Sequence, residues 1–313
     1  MFRKINNKSL SLIFLGLLVV AAILFFANSG KEERSFRSKL VDIDSSAVTK
    51  IVVYSKATGY KPVSIFKKNS KWRVELPDGK SAPVVEEKIG FALQDLMKIK
   101  PQRLAARGTD KWKEFQVGKD SSGTRVQVYQ GNDKTLDIIL GRFNYQQQTR
   151  QMSTFVRLFD DTDIYEVDGF LAFTFNQPAV SFRDGRIVYG GNLKWSELKF
   201  EYPGDSSFTL IKKDNKWFVN NSETDSAKTA TYLRTLGSLT KTKFADDAII
   251  NNPEQPTYKL TIMNNETSIP IEVKAFVDDN NYIIVSSQNP ETKFDGKTFG
   301  KDIFVSRNSF FKK

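Results

Sequence analysis

Apolar and polar positions follow three patterns along this chain. Residues 10–27 form an apolar run that no charge interrupts. As a helix, eighteen residues reach about 27 Å, near the hydrocarbon thickness of a bilayer, so the run predicts a transmembrane segment. Further on, apolar and polar side chains alternate over short stretches. This predicts strands at residues 48–54, 63–67, 71–75, 125–129, 136–140, 154–158 and 164–167, and again at 208–212, 258–263, 269–276, 282–286 and 303–306. In two places the apolar residues return at helical spacing. The first holds Val85, Ile89, Ala92, Leu93, Leu96 and Ile99, with Ser81 as expected cap and Pro83 in the first turn. The second holds Leu233, Leu236 and Leu239, with Asp225 or Ser226 as cap.

One hairpin occurs twice. Lys67, Lys68, Lys71, Trp72 and Val74 recur as Lys212, Lys213, Lys216, Trp217 and Val219, at a constant offset of 145 residues. A polar pair, Asn69-Ser70 or Asp214-Asn215, supplies the turn. Leu93, Leu96 and Ile99 match the leucines of the second helix at an offset of 140. A repeat this long predicts two tandem domains rather than a solenoid. The expected fold is α+β: two tandem repeats at residues 36–181 and 182–313, each an antiparallel sheet with one main packing helix. They follow a basic tail (1–9), the anchor (10–27) and a stalk (28–35). Residues 144–151, polar and rich in glutamine, read as a long hairpin loop. Phe310-Phe311 is expected where Phe170-Leu171 stands in the first copy.

The 313 residues carry a net charge of +11. Arg3, Lys4 and Lys8 precede the apolar run, which places the N-terminus in the cytoplasm and the remainder outside. A cleaved signal peptide with small residues near Ala27 is the alternative. The lysines beyond are scattered among acids, without the dense basic blocks of nucleic-acid binders, so no nucleic-acid partner is expected. With no cysteine and no histidine, thiol and imidazole chemistry and disulfides are excluded. Asp160, Asp161, Asp163 and Glu166 lack the spacing of a calcium loop and read as a charged hairpin turn. No phosphate loop or nucleophile motif stands out, so no catalytic residue, metal or cofactor is expected. Trp72 and Trp217 are expected in the cores rather than as glycan platforms. The candidate binding residues are the hairpin lysines, Lys67, Lys68, Lys71, Lys212, Lys213 and Lys216, as a basic tip on each copy.

The N-terminal anchor, Phe182-Arg183-Asp184, the lysine-rich hairpin before each Trp and the Leu-x-x-Leu helix together resemble a bacterial family, domain of unknown function 4340, over residues 36 to 313. The resemblance implies a single-pass protein of the inner membrane with its bulk in the periplasm. It further implies a non-catalytic accessory role beside an ABC-type transporter, whose subunits would be the partners. An envelope glycan or anionic-lipid binding module is the alternative, and a carboxylate-dependent hydrolase the third reading.

Overall fold

The computed structural model describes residues 14, 16–20, 37–119, 123–278 and 281–312. Of the expected anchor, only Phe14 and residues 16–20 are among them, helical and exposed; the remainder of that segment lies outside the described residues. No helix among the described residues is long and apolar enough to cross a membrane.

The first half contains β1 (Val48–Tyr54), β2 (Pro62–Lys68), β3 (Lys71–Glu75), β4 (Ser81–Pro83), α1 (Glu86–Met97), β5 (Pro101–Ala106), α2 (Trp112–Phe115), β6 (Thr124–Gln130), β7 (Asp133–Gln146), β8 (Gln151–Leu158), β9 (Ile164–Asp168), α3 (Ala172–Phe175) and α4 (Ala179–Phe182). Its strands form one antiparallel sheet in the order β4-β3-β2-β1-β6-β7-β8-β9-β5. The stripe on α1 does what its spacing predicts: Ile89, Ala92, Leu93 and Leu96 are buried against Ile51, Val53, Ile65, Val74 and Val126. Each large side chain so buried is worth about 1.5–3 kcal/mol.

Two local expectations change here. Ser81 is strand, not cap, because Arg73 across the ladder donates to its hydroxyl (2.9 Å) and its carbonyl (2.8 Å). The helix starts instead at Glu86, with Glu86 and Glu87 at the positive end of its dipole. Pro101 opens β5, an edge strand, where a missing N–H is tolerated. Residues 144–151 are half strand: Tyr145 pairs with Met152, and the loop is only the four-residue turn 147–150 between β7 and β8.

The other face of this sheet carries a second small core of Phe115, Val117, Ile139, Phe155 and Ile164. The segment around α2 lies directly on the strands. A Cβ on Gly141 would sit 2.3 Å from the carbonyl oxygen of Phe115.

The second half contains β10 (Arg186–Tyr189), β11 (Trp195–Glu201), β12 (Phe208–Lys213), β13 (Lys216–Val219), β14 (Ser222–Glu223), α5 (Ser226–Leu236), β15 (Ser238–Thr240), β16 (Tyr258–Asn264), β17 (Thr267–Val277), β18 (Tyr282–Ser286), β19 (Asn289–Asp295) and α6 (Gly300–Ile303). The main sheet runs β14-β13-β12-β11-β16-β17-β18-β19, again antiparallel, and β10 pairs with β15 beside it. Asp225 caps α5 by accepting from the Lys228 N–H at 2.9 Å. Leu233 and Leu236 pack with Leu198, Phe200, Leu210 and Leu260.

Residues 303–306 are not a strand. Ile303 ends α6 and the chain continues into a 3-10 turn at Arg307–Phe310. The last strand is β19, whose Pro290 and charged neighbours hide its alternation; Asn289, Thr292 and Phe294 point inward. Phe310 is buried as Phe182 is in the first core, each closing the segment after the last strand of its sheet, so its counterpart is not Phe170. The fold is thus mostly antiparallel sheet with a few helices, in the α+β class.

The two sheets meet at β4 and β19. Buried Arg183 donates to both carboxylate oxygens of Asp246 (2.6 and 2.8 Å) and stacks 3.7 Å from the Phe244 ring centre. Asp184 donates its N–H to the Pro83 carbonyl. Arg73 meets Glu291 at 2.8 Å and Lys80 meets Asp247 at 2.9 Å.

Candidate functional site

The repeated hairpin is built alike in both halves. Its turn residues take positive φ: 51° and 63° at Asn69 and Ser70, 48° and 63° at Asp214 and Asn215. Such a turn matches the twist of the strands, and Asn and Asp tolerate it best among residues other than glycine. Across the ladder Lys67 faces Trp72 and Lys212 faces Trp217. Lys67 reaches the Ser46 carbonyl at 3.5 Å and Lys212 the Leu193 carbonyl at 3.4 Å, just before the first strand of each sheet. Lys68, Lys71, Lys213 and Lys216 are exposed beside the turns.

The two tryptophans differ. Trp72 is 7% exposed within the first core, with the Lys67 ammonium 5.2 Å from its ring centre. Trp217 is half-buried and lines a groove of about 540 Å³ between the hairpin and α5. Leu233 and Ala230 form the helix side, and Leu193, 83% exposed, stands on the rim. The cause lies in the next residues. After β3 come Pro83 and Val84, and Val84 bridges to Arg183, so chain covers that flank. After β13 come Glu223 and Thr224, and β14 is only two residues long.

Three cations surround the groove: Lys212, Lys216 and Arg234. Lys216 pairs with Glu223 at 3.0 Å. Among the described residues Lys212 and Arg234 have no carboxylate partner. An apolar floor with unneutralised cations suits a ligand that offers both apolar surface and negative charge. Of the six lysines expected to bind, the groove collects Lys212 and Lys216. Lys213 stays outside it, and Lys67, Lys68 and Lys71 lie on the other sheet. Sequence reasoning missed Leu193 and Arg234, which reach the groove from a loop and a helix.

The acidic run at residues 160–166 forms the β8–β9 turn and the start of β9. Glu166 pairs with Arg103, and Asp163 lies 3.9 Å from Arg107, so two buried carboxylates fix β5 and the residue just after it. No group of acids able to hold a metal ion occurs among the described residues. Asp137 is another acid of note, its side chain 7% exposed. Burial pushes its pKa up, but hydrogen bonds from Arg125, Lys134 and Gln127 outweigh that and leave it below the usual carboxylate range. Arg125 binds both its oxygens at 2.7 Å.

Fold and groove together define an antiparallel α+β protein with an open basic pocket. The profile of the family described as domain of unknown function (DUF4340) matches residues 72–261, more than half of the chain, and the chain belongs to that family. The match runs as one span from Trp72 into β16, through both sheets. No curated protein matches the chain, and neither does any solved structure.

Proposed function

We propose that this chain is a non-catalytic accessory protein, anchored in the inner membrane by residues 10–27, whose two periplasmic domains are copies of one duplicated unit that docks to an ABC-type transporter complex. The observation that carries the reading is the groove beside Trp217. A half-exposed tryptophan flanked by Lys212, Lys216 and Arg234 has the make-up of a protein-binding anchor point, where Trp and Arg dominate the energy. The partner element is an acidic amphipathic segment of a transporter subunit. The shared strand order of the two sheets and the matching lysine-to-carbonyl contacts support the duplication.

A mild-detergent pull-down of the tagged full-length protein from its own membranes, read by mass spectrometry, tests the docking. Transporter subunits recovered in stoichiometric amount, and lost with Trp217→Ala plus Arg234→Glu, support it. Recovery of the protein alone, before and after crosslinking, refutes it. The same three cations favour an anionic-lipid headgroup as the second reading, which vesicle flotation with and without phosphatidylglycerol separates from the first.

A further inference from the structure

At the end of the second sheet away from the Trp217 hairpin lies a cleft of about 490 Å³ that the docking reading does not use. Its floor is aromatic. Tyr202 and Tyr258 are 5.4 Å apart and nearly perpendicular, and Phe304 lies 5.5 Å from Tyr258 and 6.3 Å from Tyr202. Its rim is polar and exposed: Asp205 and Ser206 from the loop between β11 and β12, and Ser306, Arg307 and Asn308 after α6.

The corresponding place in the first sheet is closed. Strand register aligns Tyr202 with Ser55, after the first strand of each pairing, and Tyr258 with Thr124, at the start of the strand beside it. Phe304 and Asn176 each follow a four-residue helix, α6 and α3. Ser55 and Thr124 are buried, and Asn176 accepts the Ala57 N–H at 3.0 Å, which ties the loop to the segment after α3. Three small polar residues that shut the first cleft are three aromatic rings that hold the second open.

The tyrosines divide their roles. Tyr202 donates its hydroxyl to the Val305 carbonyl at 2.8 Å, and Tyr232 donates to Ile303 at 2.7 Å, so both fix the wall of the cleft. The Tyr258 hydroxyl has no partner among the described residues. Neither Asp205 nor Arg307 has an ion-pair partner among them.

We propose that this cleft binds a saccharide. A sugar ring has an apolar face of C–H groups and an equator of hydroxyls. The face covers Tyr258 and Phe304, while Asp205, Arg307 and Asn308 supply acceptors and donors for the hydroxyls. The volume lies within the range of roughly 300–1,000 Å³ seen for small-ligand sites. A proline-rich peptide would need parallel aromatic ridges, whereas the Tyr202 and Tyr258 rings stand at 81°. An acyl chain finds no apolar rim. The site does not depend on the transporter reading and survives its failure.

Saturation-transfer NMR on the full chain, in a detergent without a sugar headgroup, tests the assignment with three probes: chitotriose, cellotriose and trigalacturonate. Transfer to ring protons of at least one is expected. Its affinity should fall tenfold or more in Tyr258→Ala and in Asp205→Ala; the second substitution is on an exposed loop and leaves the fold intact by circular dichroism. No transfer with any of the three probes overturns the proposal. Transfer undiminished by both substitutions also overturns it, as does a proline-rich decapeptide that binds the cleft when the sugars do not.

Discussion

Alanine in place of Trp72 and of Trp217 should have unequal costs, although the two stand at the same point of the same hairpin. Trp72 is 7% exposed and sits in the first core. Truncating a buried aromatic of this size costs about 3–5 kcal/mol. The Lys67 ammonium also loses the ring face it rests on, 5.2 Å away. At Trp217 the ring already borders an open groove, so the void left behind is continuous with solvent and fewer core contacts go. About 1–2 kcal/mol is expected there. For a cooperative unit the size of one sheet with its core, 1 kcal/mol corresponds to about 3–5 °C. Trp72→Ala should therefore lower the melting temperature of the first sheet and its core by about 10–20 °C, and Trp217→Ala that of the second by about 5 °C. Scanning calorimetry of each variant reads both. Iodide quenching adds an independent check: Trp217 and Trp112 are half-buried while Trp72 and Trp195 are buried, so Trp217→Ala should remove part of the quenchable emission and Trp72→Ala none of it. Equal losses of stability, or quenching reduced by Trp72→Ala and not by Trp217→Ala, would refute the assignment of one ring to core and the other to the groove.

Other substitutions probe the frame. Asp137 has a depressed folded pKa, so its contribution is complete above the unfolded carboxylate value near 4 and disappears as pH falls through the folded value. Asp137→Asn should cost about 2 kcal/mol at pH 7, and its gap from the parent in urea unfolding should narrow below pH 4; a constant gap would contradict the charge pairing. Asp246→Ala strands buried Arg183 beside Phe244 and should cost about 3 kcal/mol, with faster tryptic cleavage after residue 183. Unchanged cleavage would mean that this pair does not hold the two sheets together. Gly141→Ala forces a Cβ against the Phe115 carbonyl and should destabilise by several kcal/mol, whereas an alanine at Gly131, positive in φ but open to space, should cost about 1 kcal/mol. Equal melting temperatures for the two variants would deny the close approach of the α2 segment.

The hairpins and both main helices are legible in the chain because periodicity and turn chemistry act over a few residues. Asn69-Ser70 and Asp214-Asn215 announce their turns, and the leucine spacing announces the helices. β5 and β19 were not legible. Each carries a proline and at least one charged residue, and each is strand because a neighbour offers it a ladder. The groove was half legible, since Lys212, Lys216 and Trp217 lie within six residues, but Leu193 and Arg234 arrive from elsewhere. The aromatic cleft was hidden for a stronger reason. Tyr202, Tyr258 and Phe304 come from three segments about 50 residues apart, and no local pattern links them. Alignment of the two halves at Ser55 and Thr124 would have been the one signal.

The meeting of β4 with β19 joins unlike surfaces, the arrangement that grows into open filaments when both ends of a pair stay free. Here neither outer edge matches the two that meet. At one end β5 lies outside β9, on the edge that corresponds to β19. At the other β14 is cut to two residues, and the final segment is pinned beside it by the Asp225 N–H donating to the Phe310 carbonyl at 2.8 Å. One added strand and one shortened strand leave each outer edge unlike the β4 and β19 edges that meet, so a third sheet finds no matching edge to extend the row.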